Sequence, residues 1–257
     1  MQRREDMRAA FKKAVNRLGL DIRLTRNIAQ AEARRKLEAW RRSWLALRNL
    51  GPIRTVLDVG ANEGQFSTMI RGVFPDAAIY AFEPLADCQD ALRRCLAEAP
   101  GSRIFPVALG AAPQRVPFRR TSFSPCSSFL RPTDRLRGEV DNLKEEALVE
   151  VPIARLDDIL ALHPPVGPLL LKLDVQGYER QVLEGAPRTL ADVAILVLEV
   201  AFVPLYEQQP LFDDMFLWLR DRGFRYRGNI EQSASRVDGL VTEADALFVR
   251  DGAGENR

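Results

Sequence analysis

Alternating strand and helix patterns over residues 54–250 predict a doubly wound α/β fold: a seven-stranded, mostly parallel sheet whose last strand runs antiparallel, behind an N-terminal helical extension. Three observations carry that prediction. Short apolar runs alternate with stretches of helical periodicity, as strands joined by crossover helices do. A turn containing Gly60 and Gly64 lies between the first strand and the first helix, where open α/β sheets place a ligand loop. The final two apolar segments, 224–227 and 246–250, have no helix between them, so the last strand has no crossover and must run antiparallel.

The elements follow in order. Residues 1–50 read as helices, the second carrying an apolar stripe of Ala33, Leu37, Trp40, Trp44 and Leu47 at spacings of four and three. That stripe is expected to dock the helix on the body or on a second copy of the chain. Gly51-Pro52 breaks the pattern. Strands are predicted at 54–57, 78–82, 103–107, 169–173, 195–198, 224–227 and 246–250, with helices at 65–73, 86–97, 156–162, from 178, and at 211–222. The stretch 110–150, rich in Pro, Ser and Arg, is irregular, with short strands expected at 116–119 and 127–130 and an extended segment at 149–153. We read residues 1–50 as a basic extension and 51–257 as the ligand-binding domain.

Composition excludes several classes. The 257 residues are 46% hydrophobic, enough for one substantial core and against wholesale disorder. No apolar run approaches the roughly 18–20 residues that span a bilayer, and the first twenty residues show no secretory pattern, so a cytoplasmic location is expected. Three cysteines without a C-x-x-C pair argue against a disulfide framework or a thiolate zinc site. The net charge of +2 hides an asymmetry. Residues 1–50 hold 14 Lys+Arg against 5 Asp+Glu, whereas the remainder holds 23 against 30. The basic arm suits its own acidic body, an anionic surface or a phosphorylated partner.

The sharpest local signal is Asp58-Val59-Gly60-Ala61-Asn62-Glu63-Gly64. Gly60 suits a tight turn and Gly64 a close backbone approach. Glu83, at the end of the second strand, is placed to accept hydrogen bonds from ribose hydroxyls. A dinucleotide site wants G-x-G-x-x-G with pyrophosphate at the helix N-terminus, but here the spacing is G-x-x-x-G and Asp58 would repel pyrophosphate. A carboxylate in that place suits the cationic amino group and sulfonium of S-adenosylmethionine.

On these residues the chain resembles the FkbM-type family of S-adenosylmethionine-dependent methyltransferases, over about residues 53–250. The blocks are DVGANEGQF from Asp58 to Phe66, AFEP ending at Glu83 and Pro84, VALG with Ala108 and Leu109, CSSF with Ser127 and Ser128, LKLDVQGYERQVLEGA at 171–186, LEVAFVPLY at 198–206 and DALFVR at 245–250. The resemblance implies a class I, Rossmann-like methyltransferase fold and methyl transfer from S-adenosylmethionine, most often to a hydroxyl of a sugar, glycan or polyketide-like metabolite. It implies cofactor contacts from Asp58, Gly60, Ala61, Asn62, Gly64, Phe66, Glu83, Pro84, Ala108, Leu109 and Asp174. Many members carry Glu where this chain has Gln176, so that position supplies no carboxylate here.

Methyl transfer to an alcohol calls for a base. Asp174 and Glu199 each follow a strand at its carboxyl end and are the candidates, Asp174 first. Either also reads as a turn cap. Ser127, Ser128, Gln176 and Tyr178 are candidates for the acceptor side, with core packing the simpler reading for Tyr178 and Tyr206. His163, the only histidine, precedes a strand and so belongs at the opposite edge. No metal is expected. The acceptor is expected to be a small molecule or glycan rather than nucleic acid, with self-association or a peripheral contact through the N-terminal helices. Two other readings are a nucleic-acid methyltransferase using the basic arm and a non-catalytic scaffold that kept the fold.

Overall fold

The computed structural model describes residues 42–252, so the arm that carries Ala33, Leu37 and Trp40 lies outside the described residues. A seven-stranded sheet forms the centre, in the order β3-β2-β1-β7-β8-β10-β9. Its strands are β1 (Thr55–Val59), β2 (Ala78–Phe82), β3 (Arg103–Phe105), β7 (Leu169–Leu173), β8 (Val193–Ala201), β9 (Phe224–Ala234) and β10 (Val241–Arg250). Neighbours from β3 to β8 pair in parallel, and β10 lies antiparallel between β8 and β9. The expectation of a seven-stranded, mostly parallel sheet whose last strand runs antiparallel thus holds.

The two central strands explain themselves. All five residues of β1 and all five of β7 are buried, as expected for parallel strands covered on both faces. Helices α1 (Gln65–Val73), α2 (Gln89–Leu96), α4 (Leu156–Leu162), α5 (Glu179–Glu184), α6 (Pro187–Asp192) and α7 (Phe212–Arg220) supply the outer layers, and α3 (Asp134–Glu139) lies in the connection before β6. Helix α1 buries Ser67, Ile70 and Val73, one every three residues, so one stripe faces the sheet. The core joins both halves of the sheet, including Leu57, Phe82, Leu171, Leu198, Leu219 and Phe248. Trp44 is buried on Phe66, ring centroids 5.4 Å apart, and donates its indole N–H to Glu231.

The stretch 110–150 is more ordered than its composition suggests. A second sheet, β4-β6-β5, forms from β4 (Ala108–Leu109), β5 (Gln114–Thr121) and β6 (Glu145–Ala154). The strand expected at 127–130 is instead a single bridge, Ser128 to Arg119, after a 3-10 turn at Ser124–Cys126. Pro125 within that turn withholds an N–H from any ladder. The segment expected to be extended at 149–153 lies in β6, and exposed residues along its first half hid the start at Glu145 from the periodicity. Among the described residues no helix is long and apolar enough to cross a membrane.

Candidate active site

Strand order reverses between β1 and β7, and open α/β sheets hold ligands in the crevice outside the carboxyl ends of the strands at such a point. Gly60 turns the chain out of β1 at φ +84°, and its N–H and that of Ala61 both donate to Phe82 O, at 3.0 and 3.1 Å. A Cβ on Gly60 would lie 1.9 Å from the carbonyl oxygen of Asp174. The glycine is therefore demanded by the packing of the two strand ends as well as by the turn. Gly64 stands at φ +91°, and a Cβ there would press on Cys95 and Leu92 of α2, at 3.0 and 3.2 Å. The close approach at Gly64 is to a helix of the protein.

Asp58 is sealed beneath this loop, 1% exposed, and accepts a 2.5 Å hydrogen bond from Ser67 Oγ. Burial lifts its carboxyl to about 6, against the pull of Ser67 and Lys172. It pins the first turn of α1 and presents a field to the crevice rather than an open oxygen. Glu83 ends β2, with Oε2 accepting from Asn62 N at 2.9 Å and Oε1 from Leu85 N at 2.8 Å. Burial pushes it up to about 7. Each oxygen retains a lone pair for a further donor. Gln89 gives its amide N–H to Glu83 O at 2.5 Å, and its own Oε1 is a buried acceptor without a hydrogen-bond partner in the structure. Pro84 follows Glu83 half-buried, and Ala108 and Leu109 are buried on β4. Cys88 donates to Asn62 Oδ1 at 3.1 Å, and burial raises its thiol to about 11, leaving it a packing group.

A second cluster occupies the ends of β7, β8 and β10. Lys172, 4% exposed in the middle of the apolar run of β7, is paired in register with Asp58 and reaches Asp245 at 2.7 Å and Asp174 at 3.7 Å. Burial opposes its charge, but Asp245, Asp174 and Glu199 outweigh that cost and hold the ammonium above the ordinary lysine range. Gln176 Nε2 donates to Asp174 Oδ1 at 2.8 Å and to Glu199 Oε2 at 2.7 Å. Burial, with Asp174 and Glu243 beside it, raises Glu199 well above the usual carboxylate range. Glu179, buried, accepts from Val175 N and Gly177 N and closes the turn between β7 and α5.

The connection 122–144 lies over both clusters. Ser124 Oγ donates to Asn62 Oδ1 at 3.2 Å, Ser128 Oγ donates to Gln176 O at 2.7 Å, and Tyr206 OH reaches Cys126 O at 3.1 Å, while Arg120 on β5 pairs with Asp87 at 2.5 Å. Ser127, buried, accepts from Thr121 N and so holds its own strand end. Tyr178 packs on Phe129 at 4.8 Å and over Gly110. His163 packs on Phe105, ring centroids 5.4 Å apart. The structure thus gathers Asp58, the Gly60–Gly64 loop and Glu83 on one side, and Asp174, Gln176 and Glu199 on the other. Sequence reasoning passed over Lys172, Glu243, Asp245 and Ser124. The signal for Lys172 was present: an ammonium inside a fully apolar parallel strand demands acids from its neighbours.

Comparison with known proteins follows the same blocks. The model of the methyltransferase FkbM domain matches residues 58–226, from the acid beneath the glycine loop to β9. The chain belongs to the FkbM methyltransferase family. This FkbM methyltransferase is 28% identical over 197 residues to methyltransferase sdnD of Sordaria araneosa, covering 66% of this chain and 73% of that one. It is 26% identical over 165 residues to 2-O-methyltransferase NoeI of Sinorhizobium fredii, covering 62% and 68%. It is 33% identical over 180 residues to the AMB antimetabolite synthetase AmbE of Pseudomonas aeruginosa, covering 59% of this chain but 8% of that protein. S-adenosylmethionine is the cofactor of this FkbM methyltransferase, and the crevice fits it. A buried carboxylate with free lone pairs follows β2, an orphaned amide oxygen lies beside it, and a second buried acid, Asp58, lies beneath the loop.

Proposed function

We propose that this FkbM methyltransferase methylates a hydroxyl oxygen of a sugar, a glycan or a polyketide-like metabolite, with Asp174 as general base. The observation that carries the reading is the position of Asp174. Its backbone rests against Gly60, and its N–H donates to Val59 O at 3.0 Å. Its side chain is 43% exposed at the mouth of the crevice. S-adenosylmethionine supplies an electrophilic methyl group, whose C–S bond breaks as the O–C bond to the acceptor forms. Asp174 takes the hydroxyl proton, and Glu83 binds the ribose hydroxyls. Asn62 and Ala61 line the loop, and Asp58 beneath it offsets positive charge on the bound cofactor. Glu199 acts beside Asp174 on the acceptor. A relative named as a 2-O-methyltransferase supports oxygen as the acceptor atom.

The test has two stages. Calorimetric titration with S-adenosylmethionine is expected to show micromolar binding. A panel of glycosides, oligosaccharides and hydroxylated polyketides is then screened with the methyl-labelled cofactor. Label in an ether linkage supports the reading. Label solely in amines or nucleic acid refutes it.

A further inference from the structure

We propose that Gln176 is a positioning residue that holds Asp174 and Glu199 side by side through its amide. The idea rests on the reading of Asp174 and Glu199 as the working acids and adds the device that sets them. Gln176 Nε2 has two hydrogens, and each goes to a different carboxylate, Asp174 on β7 and Glu199 on β8. Its Oε1 accepts from Tyr206 OH at 2.7 Å, and its backbone carbonyl accepts from Ser128 Oγ at 2.7 Å. The flipped amide would set an oxygen against the oxygens of Asp174 and Glu199 and leave neither with a donor from this side chain, so the two acids select the arrangement seen. Both donors of the side chain are thereby spent on the protein. The backbone holds φ +54° at Gln176, a conformation that persists where the surroundings dictate it. The next residue, Gly177, is wedged between Leu130 and Gln209, and Gln209 Oε1 accepts the N–H groups of Leu205 and Tyr206. A glutamate at 176 would set a third carboxylate between two others and supply no hydrogen to either.

Gln176 therefore acts on Glu199 by donating to its charged form, against the acids and the apolar burial that face it. The groups facing it are Asp174 on β7, Asp245 and Glu243 on β10, Glu179 on α5, and Tyr206 with Cys126 above. Lys172 on β7 works in the same sense as Gln176. The experiment follows Glu199 by carboxyl ¹³C NMR in the full chain labelled at glutamate, with Glu199→Gln to assign the signal. Gln176→Leu is expected to raise the proton affinity of Glu199 about tenfold or more. Tyr206→Phe, which frees the amide to rotate, is expected to raise it by a smaller factor. Midpoints unchanged in both variants would overturn the proposal and leave Gln176 a packing residue, whatever happens to thermal stability. Should Gln176→Leu fail to fold, Tyr206→Phe alone decides. Titration of the wild type with S-adenosylmethionine keeps the two readings apart. Loss of cofactor binding removes the assigned reaction without touching the pairing, and an unmoved Glu199 removes the pairing with the reaction intact.

Discussion

The two sides of the crevice are built in opposite ways. On the β1–β2 side every partner comes from one βαβ stretch: Asp58 is served by Ser67, nine residues on, and Glu83 by Leu85, two residues on, and by Asn62, 21 residues back across the crossover. On the β7–β8–β10 side, Lys172 reaches 73 residues to Asp245, Gln176 reaches 23 to Glu199, and Tyr206 reaches 30 back to Gln176. The first side is a preformed turn that one contiguous segment nearly completes. The second exists once the strands are paired and Tyr206 has been laid across them. A site that must bind one unvarying cofactor is served by the first design. The proposed role of orienting an acceptor and removing its proton gains from the second, where each acid is set by several distant groups.

The largest expected effect separates the sides by function. Asp174→Asn should lower turnover by about 10²–10⁴-fold with cofactor affinity little changed, read by label transfer and calorimetry on the same protein. Full turnover in that variant would move the base elsewhere and dissolve the division of labour. Next comes the seam between the sides. Gly60→Ala sets a Cβ against the Asp174 carbonyl at a backbone φ that disfavours it, and should cost about 3 kcal/mol in a urea titration. A cost near zero would show that the strand ends can part.

Glu83→Gln addresses the cofactor side. Losing the charged acceptor should weaken cofactor binding by about 1.5–3 kcal/mol. The same residue predicts a pH dependence. Burial lifts Glu83 from the ordinary 4.5 to about 7, so between those values the folded chain holds a proton that the unfolded chain has released. The contribution to stability is complete below about pH 4.5 and declines as pH rises toward 7. Glu83→Gln should flatten that decline by up to about 3 kcal/mol, and an unaltered slope would place the titration on another acid. The smallest effect concerns the cover. Ser124→Ala removes one exposed hydrogen bond to Asn62 and should cost about 0.5–1 kcal/mol, seen as faster hydrogen exchange at the Asn62 amide. No change there would mean that the connection rests on the glycine loop without holding it.

The sequence alone carried the sheet, the crossovers and the glycine loop with its strand-end acid, for a physical reason. Strand and helix periodicity, the left-handed glycines and an acid ending a strand are features of short segments, dictated by backbone sterics and by burial on known faces. Helix α4 at 156–162 and strands β2 and β7 were legible to the residue. The second sheet was legible in part: the strand expected at 116–119 and the extended segment at 149–153 lie within β5 and β6, but the exposed first half of β6 and the pairing of the two strands did not show. Nor did the wiring at the ends of β7, β8 and β10. Asp174 and Glu199 could be placed at strand ends from the pattern. Their partnership through Gln176, the ammonium of Lys172 between Asp245 and Asp174, and the reach of Tyr206 depend on which strands become neighbours and in what register. That choice is made by the whole core, where every buried charge must find its counter-charge at once.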